Sequence, residues 1–173
     1  MNHLNVEIKA RTHNPDFVRA YLIVNHADFR GVDHQTDTYY NVQNGRLKLR
    51  EGNIENNLIY YEREDRAGAR ESNFSLIDVS HSPGVKELLA KALGIMVTVS
   101  KRREIYFIGN VKFHIDEVPD LGSFVEIEAS NIGRSISKDE LETQCNFYMQ
   151  ELKIKNTDLV PASYSDMLLA LAK

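Results

Sequence analysis

Asn5-Val6-Glu7-Ile8-Lys9 alternates with the period of a β-strand, so Leu4, Val6 and Ile8 share one face while Asn5, Glu7 and Lys9 share the other. A carboxylate and an ammonium are thereby aimed the same way. Taken alone, this is the pattern of any half-buried strand with a solvated polar face. Three further stretches change that reading. Leu47-Lys48-Leu49-Arg50 sets two cations at i and i+2, Lys101-Arg102-Arg103 sets two more, and Phe124-Val125-Glu126-Ile127-Glu128 sets two carboxylates on one face. Solvated strand faces ordinarily mix Thr, Ser, Gln and alternating charge signs, whereas these three faces are each of a single sign. Like charges at i and i+2 repel unless opposite charge lies between them. A polyanion with its divalent metal meets that need, because Lys and Arg grip phosphate oxygens and carboxylates grip the metal.

Working outward, Asn14-Pro15 supplies a helix cap followed by proline at the first helical position. Phe17, Val18, Tyr21, Leu22 and Val24 then form an apolar stripe to about Asn25. A long strand is expected over 29–42, and Asn44-Gly45 is a hairpin signal that delivers the chain into a strand over 46–51. A polar turn over 52–57 leads to a strand over 58–65, a loop over 66–71 and a strand over 73–79. Ser82-Pro83-Gly84 predicts a second capped helix over 85–93, stopped by Gly94. The second half repeats this grammar: a strand over 95–108, the turn Gly109-Asn110, a strand over 111–118, and a strand over 123–129 after Pro119-Asp120-Leu121-Gly122. Ser137-Lys138-Asp139-Glu140 has capping-box spacing and opens a helix to about 152, with Leu141, Cys145, Tyr148, Met149 and Leu152 inward. A short helix over 164–172 closes the chain.

Eight mostly hairpin-linked strands, with helices after the first and fifth, predict an α+β fold. Its sheet is a closed or nearly closed eight-stranded antiparallel β-barrel, a tunnel with helices packed outside. The Leu, Val and Ile faces then meet the helices and the charged faces line the interior. Burying unpaired ions costs several kcal/mol each, so that interior must be wet and its charges must neighbour opposite charges or ligand. Folding alone gives no reason to tolerate this, and a binding site does.

Length and composition bound the function. A chain of 173 residues with 42% hydrophobic content suits a single domain over 1–173. Its net charge of −4 argues against a nucleic-acid partner held by bulk electrostatics and makes any cationic site local. One cysteine, Cys145, excludes an intrachain disulfide and a Cys-rich zinc site, and its place in an amphipathic helix marks it as a half-buried thiol. No apolar run approaches the ~18 residues of a membrane span, and Met1-Asn2-His3-Leu4 lacks a signal-peptide layout. The expectation is a cytoplasmic protein without a membrane or nucleic-acid partner, and a homodimer is compatible with it.

From Asn5 to about Glu128 the chain resembles the CYTH superfamily, the triphosphate tunnel metalloenzymes that include class IV adenylyl cyclase and thiamine triphosphatase. Glu7 and Lys9 fall on the second Glu and the Lys of that family's Glu-x-Glu-x-Lys signature. Asp37-Thr38-Tyr39-Tyr40 and Leu47-Lys48-Leu49-Arg50 match its Asp-Thr-Tyr and Leu-Arg-x-Arg segments, with Lys48 in place of the first Arg, and Arg63 stands where a Lys is commoner. Lys101-x-Arg103, His114-Ile115-Asp116-Glu117-Val118 and the run from Leu121 to Glu128 form the most specific block. The resemblance implies that Lys9, Lys48, Arg50, Arg63, Lys101 and Arg103 hold triphosphate oxygens and that Glu7, Glu126 and Glu128 carry Mg2+ or Mn2+. Lys9, Arg50 and Asp116 are the implied catalytic residues, Asp116 by placing the metal or orienting a cation. The implied partner is a small triphosphate: tripolyphosphate, thiamine triphosphate or ATP.

One position departs from the family. Asn5 replaces its first Glu, keeping an oxygen and losing a charge, which weakens a site for a hard cation unless nearby carboxylates compensate. Triphosphate hydrolysis is the leading expectation, because water is always present and ATP cyclisation needs an adenine pocket besides the shared cationic cradle. His114 and Tyr61 are candidate base or nucleoside contacts, or else a polar filler and a rim aromatic. A non-catalytic sensor of polyphosphate or nucleotide is the alternative of another class. An unliganded structural barrel would require its inward charges to pair fully with one another.

Overall fold

Eight strands, each antiparallel to both of its neighbours, close into a barrel in the computed structural model, which describes residues 3–173. They are β1 (His3–Arg11), β2 (Asp28–Tyr40), β3 (Arg46–Glu51), β4 (Asn56–Arg63), β5 (Arg70–Asp78), β6 (Ile95–Ile108), β7 (Val111–Val118) and β8 (Gly122–Ser130). Their order round the barrel is β1-β5-β4-β3-β2-β6-β7-β8, and β8 pairs back onto β1. Four α-helices accompany them: α1 (Pro15–Val24), α2 (Val85–Leu93), α3 (Lys138–Glu151) and α4 (Tyr164–Leu171). The α+β barrel expected from the alternation is therefore the observed fold.

Strand alternation builds the main core between barrel and helices. Val6 and Ile8 of β1, Phe113 and Ile115 of β7, and Val125 and Ile127 of β8 point outward onto Val18 and Leu22 of α1 and Leu141 and Cys145 of α3. Each such side chain contributes about 1.5–3 kcal/mol on burial. The same alternation leaves the intervening residues facing the barrel interior, so the outer core fixes the inner charges. A second apolar cluster lies inside. Tyr39, Val99 and Phe124 sit two residues from Asp37, Lys101 and Glu126 and share their face, where they pack with Tyr61, Phe74 and Tyr164 at the start of α4.

The differences from expectation have local causes. Val24 is 74% exposed, because it lies about 200° round the helix from buried Leu22. The α2 amino terminus carries no side-chain cap; Gly84 occupies the N-cap at φ +85°. β2 ends at Tyr40 because the Asn41 N–H leaves the ladder to donate to the Gly94 carbonyl at 3.1 Å. β4 starts at Asn56, whose side chain closes the preceding turn on Gly52 in both directions, at 3.2 and 2.9 Å. β5 begins at Arg70, inside the expected loop, with Arg70 opposite Glu7 in register. Asn14, the Ser137/Glu140 capping box and the inward Leu141 of α3 and Leu152 at its C-cap are as expected, Tyr148 and Met149 are partly buried, and Cys145, expected half-buried, is fully buried between α3 and the barrel.

Candidate functional site

The barrel encloses a cavity of about 140 Å3. Glu7, Lys9, Lys48, Arg50, Arg63, Lys101, Arg103, Glu126 and Glu128 all line it, together with His114 and Tyr61. Asp116 lies behind this lining, fully buried against Arg103. Strand register explains the convergence. Lys9 stands opposite Glu126, Glu7 opposite Glu128, His114 opposite Glu126 and Arg103 opposite Asp116.

Asp37 organises the cationic side. Its Oδ1 accepts from Arg50 Nε at 2.9 Å, and its Oδ2 accepts from Arg50 Nη2 at 2.9 Å, Lys101 Nζ at 2.7 Å and Lys48 Nζ at 3.0 Å. Burial pushes the Asp37 carboxyl up, but Arg50, Lys101 and Lys48 outweigh it and hold the pKa well below its ordinary value. Burial, backed by Arg50 and Arg103, lowers the Lys101 pKa despite Asp37. Asp116 does the same work for Arg103, accepting from its Nε at 2.6 Å, and also takes the Tyr164 hydroxyl at 2.7 Å. Arg103 further donates to Glu126 at 3.0 Å. Lys9 Nζ lies 3.2 Å from Glu126 and 3.8 Å from the Tyr164 ring centroid; burial depresses its pKa to about 8 in spite of Glu126.

The carboxylates of the opposite wall are less evenly matched. Glu7 binds both Arg63 and Arg70, with Arg70 Nε at 3.0 Å. Those two guanidiniums outweigh burial and lower the Glu7 pKa, yet Arg63 Nε and Nη2 and Arg70 Nη2 are buried without partners. Glu128 accepts a hydrogen bond from Asn5 Nδ2 and, among the described residues, forms no ion pair. Burial raises its pKa, with Glu7 and Glu126 adding to that effect against Lys112. Asn5 Oδ1 is buried with no partner. Among the described residues, no three acidic, histidine or cysteine side chains gather into a metal-binding set. The donor chemistry nonetheless suits a hard divalent cation: an orphaned amide oxygen and an unpaired carboxylate lie beside two further carboxylates, each of which is now turned toward a protein cation.

His114 is neutral near pH 7, its pKa lowered to about 4 by burial and Arg103, and its Nδ1 lies 3.0 Å from Glu126. Four residues of the site were missed by sequence reasoning. Asp37 is marked in the sequence only by the Asp-Thr-Tyr match, although Asp33, Gln35, Asp37 and Tyr39 alternate inward on β2 and so carry the signal. Lys112 sits two residues before His114 on the same face of β7 and lines the cavity. Arg70 falls within the loop expected over 66–71, and Glu55 lies in a turn, where no periodicity marks it. The need for charge of opposite sign between the strand cations is met in large part by the protein itself, through Asp37, Asp116 and Glu55. The match is incomplete, for seven cations, Lys9, Lys48, Arg50, Arg63, Lys101, Arg103 and Lys112, line the cavity against four carboxylates on its wall, Glu7, Glu55, Glu126 and Glu128, and two behind it, Asp37 and Asp116.

No helix of the described residues is long and apolar enough to cross a membrane. Among solved structures, the chain superposes on the PH1012 protein from Pyrococcus horikoshii OT3 with a TM-score of 0.80 and 25% identity, over 94% of this chain and 98% of that one. It superposes on a candidate adenylate cyclase from Vibrio parahaemolyticus with a TM-score of 0.77 and 16% identity, over 98% and 99%. A candidate adenylyl cyclase from Hippeastrum with a dominant triphosphatase activity follows at a TM-score of 0.61 and 12% identity, over 98% and 95%. None of the curated proteins matches this chain. The family model for the CYTH domain matches residues 3–164, the whole barrel with its first three helices, and the chain belongs to the CYTH domain family.

Proposed function

We propose that this protein binds the triphosphate group of a small molecule inside its barrel, together with Mg2+ or Mn2+, and hydrolyses it. The observation that carries the reading is the convergence of seven cations on the wall of one cavity, more than the six carboxylates of that wall and of the layer behind it. A buried surplus of positive charge is costly without an anion, and a triphosphate supplies three to five negative charges in a short chain (roughly, on the second-pKa scale of phosphate).

In this reading Lys9, Lys48, Arg50, Arg63, Lys101 and Arg103 take the phosphate oxygens. Asp37 and Asp116 stay behind them as orienting anions, fixing the Arg50 and Arg103 forks so that little rotamer freedom is lost on binding. Glu7, Glu126 and Glu128, with the Asn5 amide oxygen, hold the divalent cation. The bound cation supplies charge neutralisation and polarises the reacting phosphoryl group. Glu7 and Glu126 must then release Arg63, Lys9 and Arg103, and the phosphates take over the cations so freed. Water adds to the terminal phosphorus, the bridging P–O bond breaks, and orthophosphate leaves the remaining diphosphate. Lys9 and Arg50 stabilise the charge that grows on the phosphate oxygens, which is the larger part of what a protein does in phosphoryl transfer.

A second reading, cyclisation of ATP to cyclic AMP and pyrophosphate, is favoured by one feature. Tyr39, Ile59, Tyr61, Phe74 and Leu76 form an apolar stretch of the same cavity wall, a surface suited to an organic ring. Incubation with tripolyphosphate, thiamine triphosphate and ATP in Mg2+ or Mn2+ separates the readings. Orthophosphate release supports hydrolysis, cyclic AMP with pyrophosphate supports the cyclase, and tight binding with neither product leaves a sensor. Absence of both binding and turnover with all three substrates contradicts the proposal.

A further inference from the structure

One end of the cavity is occupied by a carboxylate of the protein. Glu55 leaves the turn between β3 and β4 and points inward. It accepts from Arg50 Nη1 at 2.9 Å, from Gln35 Nε2 at 3.1 Å and from Lys112 Nζ. A guanidinium, an amide and an ammonium from three different strands thus converge on one anionic group. This is the donor set of an oxyanion site, filled from within. Burial pushes the Glu55 carboxyl up, but Lys112 and Arg50 outweigh it and hold its pKa far below the ordinary carboxylate value.

The turn is constructed to keep Glu55 there. The Asp33 carboxylate accepts the N–H groups of Ile54 at 2.9 Å and Glu55 at 3.0 Å, and Asn53 Nδ2 donates to the Val32 carbonyl at 3.0 Å. A Cβ at residue 52 would come within 2.5 Å of Asp33 Oδ1, so glycine is required for the turn to fold this closely onto β2. Arg50 joins this group to the rest of the cavity: its Nε and Nη2 face Asp37 while its Nη1 faces Glu55. At the other end Tyr164, bonded to Asp116, closes the interior with the apolar cluster.

We propose that Glu55 sets the length of the phosphate chain this site accepts, by standing where the phosphate beyond Arg50 would lie and repelling it. The inference rests on the triphosphate reading above. A fourth phosphate would need Arg50 Nη1 and Lys112, both already engaged, and would face a carboxylate at contact distance, an arrangement that disfavours binding by like charge.

The test compares binding of tripolyphosphate and tetrapolyphosphate by calorimetry, in wild type, Glu55→Gln and Gly52→Ala. Binding is read without metal so that turnover plays no part. Wild type should prefer tripolyphosphate by about tenfold or more, the scale of one unfavourable close charge pair. Glu55→Gln keeps the side-chain shape and should abolish that preference, while Glu55→Asp should retain it. Gly52→Ala pushes the turn off the Asp33 carboxylate while leaving Glu55 itself in the chain and should relax the preference in the same direction, which keeps the idea testable should the Gln variant melt early. Equal binding of the two anions by wild type, or a ratio unmoved in both the Gln and Ala variants, overturns the role of Glu55 alone. Failure of wild type to bind tripolyphosphate both without metal and with saturating Mn2+ overturns the triphosphate reading and this inference with it.

Discussion

Replacing Asp37 by Asn tests whether the cationic wall is held in place by its own buried anion. The side chain keeps its size but loses the charge that Arg50, Lys101 and Lys48 share, all within 3.0 Å. Removing one partner of a buried ion network costs about 3–5 kcal/mol, because the charges left behind stay desolvated and unpaired. For a domain of this size, each kcal/mol shifts the melting temperature by about 2–4 °C, so the unliganded variant should melt roughly 6–20 °C below wild type. A bound polyanion replaces the missing charge. Saturating tripolyphosphate should therefore raise the melting temperature of Asp37→Asn more than that of wild type, narrowing the gap between them. Differential scanning calorimetry with and without the anion reads both quantities. A variant as stable as wild type, or one whose stabilisation by the anion is no larger, would refute the reasoning.

Phosphate grip and metal grip should fail differently. Arg103→Ala should weaken triphosphate binding by roughly 1.5–3 kcal/mol at every metal concentration, whereas activity lost in Glu126→Gln should partly return as Mn2+ is raised, both read from metal titrations of turnover. Asn5→Glu places a carboxylate against Glu128, the residue its amide now serves; it should lower the melting temperature without metal and shift the apparent metal requirement to lower concentration. Unchanged metal dependence in both the Glu126 and Asn5 variants would count against the carboxylate wall as the metal site. Outside the barrel, hydrogen bonds from Arg19 at 2.8 and 2.9 Å lower the Glu104 pKa to about 2. A depressed carboxyl stabilises the fold above its ordinary value of 4.5 and loses that contribution as pH falls toward 2. Glu104→Gln should thus be less stable at pH 7 and show a shallower loss of stability between those two pH values in chemical denaturation.

The barrel was legible because alternation is a local property. Val6 and Ile8 against Glu7 and Lys9, or Val125 and Ile127 against Glu126 and Glu128, commit a strand to two chemically different faces, and only a closed sheet with a polar interior satisfies all of them. The cations followed, since they lie on regular strands. What escaped was the pairing across strands. Asp37 reaches Lys101, 64 positions away, and Glu55 reaches Lys112, 57 away, through closure of the barrel rather than through any spacing along the chain. Glu55 is further hidden by its place in a turn that holds its shape through Asp33 and Gly52. Asp37 was readable in principle, because the inward alternation of β2 runs from Asp33 to Tyr39. Charged strand faces invite the thought of a ligand before the thought of buried counter-ions, and the molecule uses both.

In the proposed function the barrel interior is a joint site for a triphosphate and a divalent cation. The decisive experiment is a crystal structure grown with Mn2+ and a non-hydrolysable triphosphate, with anomalous data collected at the manganese edge. Phosphate density should appear among Lys9, Arg50, Arg63, Lys101 and Arg103, and an anomalous peak beside Glu7, Glu126 and Glu128. Glu7 and Glu126 should have turned away from the arginines they hold in this structure. An interior free of ligand and manganese at saturating concentrations of both, or a triphosphate bound only on the outer surface, would contradict it.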